Sequence, residues 1–302
     1  MNKLLIIVLI LFGMAGCKGK GDAASKDSGN AETPVETQDL ASLRGMLMDS
    51  LIFFRHNYQL TDILSRYLPD ITRENAAEIQ LGMLEKELAG GARQIGWKMG
   101  GTVTADSASY DPLFGYILDA NLIKEDSVVS AKNFPGGKVA VEGEIGFVMK
   151  MDFKNGAKSM EELKAGIDYV VNTVEFAQSI AIPINENEET MNINHIMACG
   201  TGQAGIIVGA GKADIKTFDM ENETVKCFIN DELVAEGISS NVYGTPLNAL
   251  YSLVNMLPEH GTYLKKGDIV VTGSLYENPI IDSTSSVRLE FSSLGAIGFS
   301  ME

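Results

Sequence analysis

The sequence predicts an α+β protein in which helices pack around a mixed β-sheet or β-roll. Two observations carry this prediction. Apolar residues recur at helical spacing in residues 38–90, and after Gly91 the sequence changes to short β-branched runs bounded by glycines. Of the 302 residues, 45% are hydrophobic, which is enough for a sizeable core in one domain. We therefore expect a single catalytic-type domain at residues 38–302, with a helical N-terminal part (38–90) and a β-roll core (91–302).

Residues 1–16 predict a bacterial lipoprotein signal peptide. Lys3 supplies a positive charge, and the apolar run at residues 4–12 is shorter than the roughly 20 residues needed to span a bilayer. Small residues then precede Cys17, a pattern typical of a lipobox; the alternative is ordinary cleavage with Cys17 incidental. We expect lipidation of Cys17 and an extracytoplasmic protein anchored to a bacterial membrane by this lipid, in the periplasm or on the cell surface.

Residues 17–37 predict a flexible tether between the anchor and the domain. They are mostly Gly, Ser, Ala, Asp and Lys and have almost nothing to bury. Such a segment cannot offset the entropy lost on ordering.

The helices and strands follow in order along the domain. Thr72 is the expected N-cap of a helix that ends at Gly90. Strands are predicted at residues 139–150, 173–180, 204–209, 225–236, 268–274 and 286–299. Asn230 and Asp231 lie between two apolar runs and are typical of a hairpin turn.

Two helices interrupt the predicted strands. Ser159 and Glu162 have the spacing of a capping box, which predicts a helix starting at Ser159. The apolar face of that helix would consist of Leu163, Ile167 and Val170. Thr245 followed by Pro246 predicts the start of a second helix. Its inward face would consist of Leu250, Leu253, Val254 and Leu257.

Charge and motif spacing exclude several classes of function. A net charge of −16 and a pI of about 4.6 argue against nucleic-acid binding, which needs clustered Lys and Arg. Cys199 and Cys227 are expected to be buried, unpaired thiols, and the lack of a Cys/His cluster argues against a zinc site. Residues 200–205 match G-x-G-x-x-G, but a predicted strand follows where a dinucleotide fingerprint requires a helix.

Three glutamates are candidate metal ligands. Glu142 and Glu144 occupy alternate positions of a predicted strand, so their side chains share one face. Periodicity alone favours a solvated face, whereas a cation between the two carboxylates is the alternative. The surrounding residues are apolar and Gly-rich, and Glu175 is isolated in another apolar strand. Three carboxylates without thiol or imidazole suit a hard cation, Mg²⁺ or Mn²⁺.

Lys98 is a candidate for proton transfer. It lies in an apolar, Gly-rich stretch at residues 95–101. Such a lysine is usually a snorkelling side chain; buried near the carboxylates, it would instead move protons. His195, beside a polar stretch at residues 185–194 that could form a lid, is a reserve candidate.

Several motifs together resemble the fumarylacetoacetate hydrolase superfamily. They are GWKMG (residues 96–100), DPLFG (111–115), VEGEI (141–145), Glu175, and the C-terminal segments at 244–249 and 264–275. The similarity is strongest to the branch of 2-oxopent-4-enoate (2-keto-4-pentenoate) hydratase and 4-oxalocrotonate decarboxylase, and it covers about residues 40–300 in order.

The resemblance implies a β-roll of the superfamily's C-terminal type with peripheral helices. It implies Mg²⁺ or Mn²⁺ on Glu142, Glu144 and Glu175, with Lys98 as the catalytic lysine. The implied substrate-binding residues are Gly100, Thr272, Gly273 and Ser274. The implied activity is that of a 2-hydroxypenta-2,4-dienoate hydratase-like hydro-lyase, acting on a small 2-oxo acid through a metal-stabilised enolate, in a homo-oligomer.

The chain departs from the family pattern on the substrate side of the pocket. Tyr110 replaces an acid, Ile180 replaces an arginine, and residues 199–202 read CGTG where the family tends to have Asp-Asn-Ala-Ser. Alternatives therefore stay open: a 2-oxo acid decarboxylase or C–C hydrolase of the same superfamily, or a non-catalytic lipoprotein that binds a ligand.

Overall fold

The computed structural model describes residues 35–102, 112–184, 192–282 and 284–302. The predicted signal peptide, Cys17 with its lipidation, and Tyr110 lie outside these ranges. Within them, no helix is long and apolar enough to cross a membrane.

Three helices form the N-terminal part. They are α1 (Val35–His56), α2 (Ile63–Tyr67) and α3 (Arg73–Ala89). The predicted cap is confirmed, because Thr72 Oγ1 accepts a hydrogen bond from Asn75 N at 3.3 Å and Gly90 ends α3. α1 begins at Val35, inside the segment expected to be a tether.

Within the described ranges, thirteen strands form two sheets. In chain order they are β1 (Gln94–Gly100), β2 (Leu113–Leu118), β3 (Leu122–Ile123), β4 (Val128–Val129), β5 (Val139–Met149), β6 (Ile167–Ala177), β7 (Gln203–Ala213), β8 (Thr224–Ile229), β9 (Glu232–Ile238), β10 (Ile269–Ser274), β11 (Ile280–Ile281), β12 (Ser285–Phe291) and β13 (Gly295–Met301). The large sheet has the order β2-β1-β10-β5-β6-β7-β3, with β11 paired to β5, and the small sheet has the order β4-β13-β12-β8-β9. Parallel pairs (β1–β10, β3–β7, β4–β13) occur among antiparallel ones, so the mixed α+β architecture is confirmed.

Aromatic residues join the two sheets. Phe176 of β6 packs against Phe299 of β13, with ring centroids 4.8 Å apart, and stacks on Phe134 at 5.5 Å. Burial of these rings holds the small sheet against one face of the large one. The predicted hairpin is also present, because Asn230 and Asp231 connect β8 to β9 with φ of 52° and 65°.

The helix expected after Ser159 is shorter than predicted. α4 (Met160–Ala165) ends at Gly166, so Ile167 and Val170 belong to β6 instead of the helix face. A Cβ at Gly166 would lie 2.3 Å from Phe153 Cζ, so the chain turns there against that ring. A run of apolar residues is found both in buried helices and in strands buried on two faces. The pairing of β6 with both β5 and β7 shows that Ile167 and Val170 belong to a strand.

Three further sequence predictions are confirmed: the start of a helix after Thr245, two buried free thiols, and a strand at the end of the G-x-G-x-x-G segment. α5 (Ile193–Ala198) was not predicted, whereas α6 (Pro246–Met256) starts at the expected cap, Thr245, which accepts from Asn248 N. Cys199 and Cys227 are free and buried. β7 starts inside the G-x-G-x-x-G segment and no helix opens there, which excludes a dinucleotide fingerprint.

Strand β1 was not predicted because its sequence is rich in glycine. Its antiparallel partner β2 was not predicted either. At Gly96 the backbone of β10 comes so close that a Cβ would lie 1.9 Å from Ile269 O. Glycine therefore permits β1 to pair directly with β10, in a register that places Lys98 opposite Val271.

Candidate metal centre

Three glutamates converge on one face of the large sheet. Glu142 and Glu144 alternate along β5, and Glu175 on β6 lies directly opposite Glu142 in the antiparallel register. Each contributes one carboxylate oxygen to a group whose members all lie within 4.8 Å of one another. The structure thus brings together the three residues that the sequence predicted as metal ligands.

Burial raises the free energy of the charged carboxylates in this cluster. Glu144 and Glu175 are fully buried, and Glu144 Oε1 and Glu175 Oε2 have no hydrogen-bond partner. Burial raises the pKa of Glu175 to about 7, against the lowering effect of Lys98. Burial, followed by repulsion from Glu175 and Glu142, holds the pKa of Glu144 well above its usual value. Buried carboxylates with free lone pairs need a cation, so the donor set fits a hard divalent ion.

Lys98 lies beside this cluster and is 3% exposed, so it is not a snorkelling side chain. Its Nζ lies 3.0 Å from Glu175 Oε1 and donates a hydrogen bond to Thr201 O at 2.9 Å. Burial alone would lower the pKa of Lys98, but Glu175, Glu142 and Glu144 together raise it above the usual value. The ammonium therefore stays charged next to the proposed ligands.

Two hydrogen bonds orient the carboxylates. Gly273 N donates to Glu144 Oε2 at 2.8 Å, and Asn278 Nδ2 donates to Glu142 Oε1 at 2.6 Å. Gly273 has φ of 113°, and a Cβ there would lie 1.9 Å from Thr102 Oγ1, so only glycine fits. These second partners fix the ligand oxygens before any ion binds.

The predicted substrate-binding residues lie near the cluster but are engaged within the protein. A Cβ on Gly100 would be 3.9 Å from Lys98 Nζ, so Gly100 lines the approach to the lysine. Thr272 Oγ1 donates to Ile145 O at 3.0 Å and Ser274 Oγ donates to Tyr276 O at 2.9 Å. With the Gly273 N–H on Glu144, these groups shape the centre, and their contact with substrate stays a prediction.

His195 is not part of the centre. It is 3% exposed in α5, with Nε2 2.8 Å from Leu68 O and Nδ1 3.3 Å from Ser65 Oγ. Both ring nitrogens are thus used in holding α5 against the segment around α2. The proposed lid at residues 185–194 lies largely outside the described residues.

Three contacts at the centre were not predicted from the sequence, although Gly273 itself was named as a substrate-binding residue. The carbonyl of Thr201 and the N–H of Gly273 are backbone groups, which no residue pattern identifies. Asn278 lies in an exposed turn and carries no motif; only its amide bond to Glu142 reveals its role.

The chain is similar in sequence to enzymes that act on small unsaturated acids. It is 27% identical to 2-hydroxyhexa-2,4-dienoate hydratase of Comamonas testosteroni over 227 residues, which are 74% of this chain and 83% of the relative. It is 26% identical to 4-oxalocrotonate decarboxylase of Pseudomonas sp. (strain CF600), over 68% of this chain and 77% of the relative. These relatives bear out the prediction that the chain is an enzyme. No family model matches the chain.

Solved structures identify the fold. The 4-oxalocrotonate decarboxylase from Pseudomonas putida G7, complexed with magnesium and adipate, aligns with a TM-score of 0.78 at 24% identity, covering 89% of this chain and 99% of that one. A fumarylacetoacetate hydrolase family protein from Yersinia pestis CO92 aligns with a TM-score of 0.51 at 14% identity, over 68% and 91%. The fold is therefore the one shared by the fumarylacetoacetate hydrolase superfamily.

Proposed function

We propose that this chain belongs to the fumarylacetoacetate hydrolase superfamily and is a metal-dependent hydratase of 2-hydroxy-2,4-dienoates or related 2-oxo acids. The observation that carries the proposal is the convergence of three carboxylates with a buried lysine. The hydratase-named relatives supply the reaction class.

Glu142, Glu144 and Glu175 would hold the ion, Mg²⁺ or Mn²⁺. Both metals prefer oxygen ligands and keep open positions for water and substrate. A bound ion supplies Lewis-acid stabilisation of the negative charge that develops on the substrate's oxygens. The protein prepares the site in advance, because Gly273 and Asn278 already orient two of the three carboxylates.

Lys98 would donate and accept the protons that move during the reaction. Glu175 and the Thr201 carbonyl fix its Nζ in one place, so a proton leaves and returns at a defined point beside the carboxylates. Because the ammonium is charged, it can donate a proton to a substrate carbon or oxygen. Glycine at position 100 lets Thr201 pack beside the lysine, because a Cβ there would lie 2.9 Å from Thr201 Cγ2 and 3.9 Å from Lys98 Nζ.

The test is loss of dienoate absorbance on adding Mg²⁺ to the protein and 2-hydroxypenta-2,4-dienoate. Glu144→Gln should lower the rate by at least about 100-fold while the protein still folds. Glu290→Gln, an exposed substitution on β12, should leave the rate unchanged and serves as the matched control. An unaltered rate in Glu144→Gln would sink the assignment.

Decarboxylation is the second candidate, because relatives of comparable identity are named 4-oxalocrotonate decarboxylase. The two activities share a metal centre and differ in product. Incubation with 4-oxalocrotonate, followed by measurement of released CO₂, separates them. A C–C hydrolase would instead yield two acids, and a non-catalytic binding protein would turn over neither compound.

The cellular location belongs to the same proposal. The short apolar run and the small residues before Cys17 support cleavage and lipidation there, with the enzyme held outside the cytoplasm. The homo-oligomer implied by the family resemblance also stays a prediction.

A further inference from the structure

A separate cavity of approximately 530 Å³ lies on the far side of the large sheet from the metal centre. Glu175 and Phe176 are adjacent on β6, so their side chains point to opposite faces. Phe134, which stacks on Phe176, lines the cavity. We propose that this cavity binds a small organic monocarboxylate with an apolar body, independently of the metal centre.

Arg55 of α1 supplies the charge for such a ligand. Its Nη1 is shielded from solvent and has no hydrogen-bond partner, while Nη2 donates to Gln203 Oε1 at 3.3 Å. The guanidinium lies 4.8 Å from the ring centroid of Tyr116 and forms no ion pair with any residue that the structure describes. A shielded cation without a counter-charge is costly, and a bound anion would remove that cost.

Gln203 supplies a second free donor at the same place. Its side chain is only 4% exposed, and its Nε2 has no hydrogen-bond partner. Buried amides usually satisfy their donors, so an unpaired donor that lines a cavity is available to an acceptor on a bound molecule. The hydrogen bond to Arg55 keeps the two side chains together, so both free donors could reach the two oxygens of one carboxylate.

The other ionisable groups of the cavity do not compete for Arg55. Glu87 Oε1 lies 2.8 Å from His56 Nε2, so this carboxylate is engaged with His56 and forms no ion pair with Arg55. Burial raises the pKa of Cys199 to about 12, so that thiol stays neutral. Arg55 is thus the one arginine or lysine of the cavity wall, and among the described residues it has no ion-pair partner. A single such cation suits a monocarboxylate better than a dicarboxylate.

The rest of the cavity wall is suited to a hydrocarbon chain. Its apolar members include Leu118, Ile123, Val129, Phe134 and Ile180. The volume lies within the range of about 300–1,000 Å³ that is usual for small-molecule sites. A carboxylate held by Arg55 and Gln203 would therefore extend its apolar body along these side chains.

The decisive test compares hexanoate with hexanamide by titration calorimetry in the presence of EDTA. The two probes have the same chain and differ in the charge of the head group. We expect hexanoate to bind the unmodified protein at least tenfold more tightly than hexanamide. Arg55→Met should weaken hexanoate binding at least tenfold, whereas Arg288→Met, which removes an exposed arginine of β12, should leave it unchanged.

Three results would overturn the proposal: no hexanoate binding, equal affinity for hexanamide, or full hexanoate affinity in Arg55→Met. Should Arg55→Met fail to fold, the comparison of the two probes on the unmodified protein still decides. Glu144→Gln should retain hexanoate binding even if it loses metal and activity. Failure of this second site is therefore distinguishable from failure of the proposed hydratase function.

Discussion

Glu144 and Glu175 are fully buried on adjacent strands, so the charged form of either carboxylate is costly. The pKa of Glu175 rises to about 7 in the folded metal-free protein, above its ordinary value of 4.5. The folded state therefore holds a proton that the unfolded chain releases. Without metal, this group makes the free energy of unfolding decrease as the pH rises from about 4.5 to about 7.

Stabilisation by Mg²⁺ should consequently increase with pH. Below about pH 7 the ion must displace a proton from Glu175, and above it the carboxylate is free to bind. We expect the Mg²⁺-induced rise in melting temperature to be larger at about pH 8 than at about pH 5.5. Glu175→Gln should abolish most of this difference, and an equal Mg²⁺ effect at both pH values would contradict the account.

Lys98 should affect turnover far more than metal binding. Its Nζ contacts Glu175 and the Thr201 carbonyl, and it is assigned to proton transfer instead of ligation. Lys98→Met should lower kcat by about 100-fold or more while Mg²⁺ still binds. Calorimetric Mg²⁺ titration beside steady-state kinetics checks this split. Lys164→Met on α4 is the control, and loss of Mg²⁺ binding in Lys98→Met would show that the lysine has a structural role instead.

At the scale of elements, the candidate metal centre depends on an irregularity in the pairing of β10 with β5, between Val271 and Ser274. Gly273 combines φ of 113° with a position where a Cβ would lie 1.9 Å from Thr102 Oγ1, whereas Gly295 has φ of 83° and open space around it. Both substitutions by alanine carry the left-handed strain of about 1–2 kcal/mol. Gly273→Ala should lose a further ~1–3 kcal/mol in the free energy of unfolding, because its Cβ would clash with Thr102.

Urea unfolding of the two variants measures this difference. Gly273→Ala should also weaken Mg²⁺ binding, because its N–H positions Glu144. Equal losses of stability in Gly273→Ala and Gly295→Ala would mean that β10 tolerates a side chain at position 273.

The elements also show where sequence patterns suffice. Helix caps at Thr72 and Thr245 were predicted because they are local signals. Ile167 and Val170 were assigned to a helix because their spacing after Leu163 fits the helical period. In the structure both are buried, and the pairing of β6 with its neighbours makes them part of a strand. β1 escaped prediction because its glycines serve a tertiary contact, the close approach of β10, which no local pattern reveals.

At the scale of the whole molecule, the site is assembled from strands that are distant in sequence. The alternation of Glu142 and Glu144 could be predicted from β5 alone, but proximity to Glu175 and Lys98 depends on the order β1-β10-β5-β6. From the sequence, these four residues could be assigned to one site only through the family resemblance. Arg55 and Gln203 were missed because they come from different parts of the chain. Arg55 belongs to no motif, and Gln203 occupies a variable position of the rejected G-x-G-x-x-G match.

The predicted anchor concerns the whole molecule in its cell. Expressed with its native N-terminus, the protein should fractionate with bacterial membranes, because a lipid on Cys17 would hold it there. Cys17→Ser should move it out of the membrane fraction without changing its activity, and Cys227→Ser is the control for loss of a thiol. A soluble wild-type protein would contradict the anchor.

The central claim, a divalent metal held by three glutamates for dienoate chemistry, is tested most directly by Mg²⁺ calorimetry and dienoate turnover on the same samples. Unmodified protein should bind one Mg²⁺ per chain and lose dienoate absorbance only when the ion is present. Glu142→Gln, Glu144→Gln and Glu175→Gln should each lose both properties, while Glu290→Gln keeps them. Turnover that persists in EDTA, or Mg²⁺ binding that survives all three substitutions, would contradict the account.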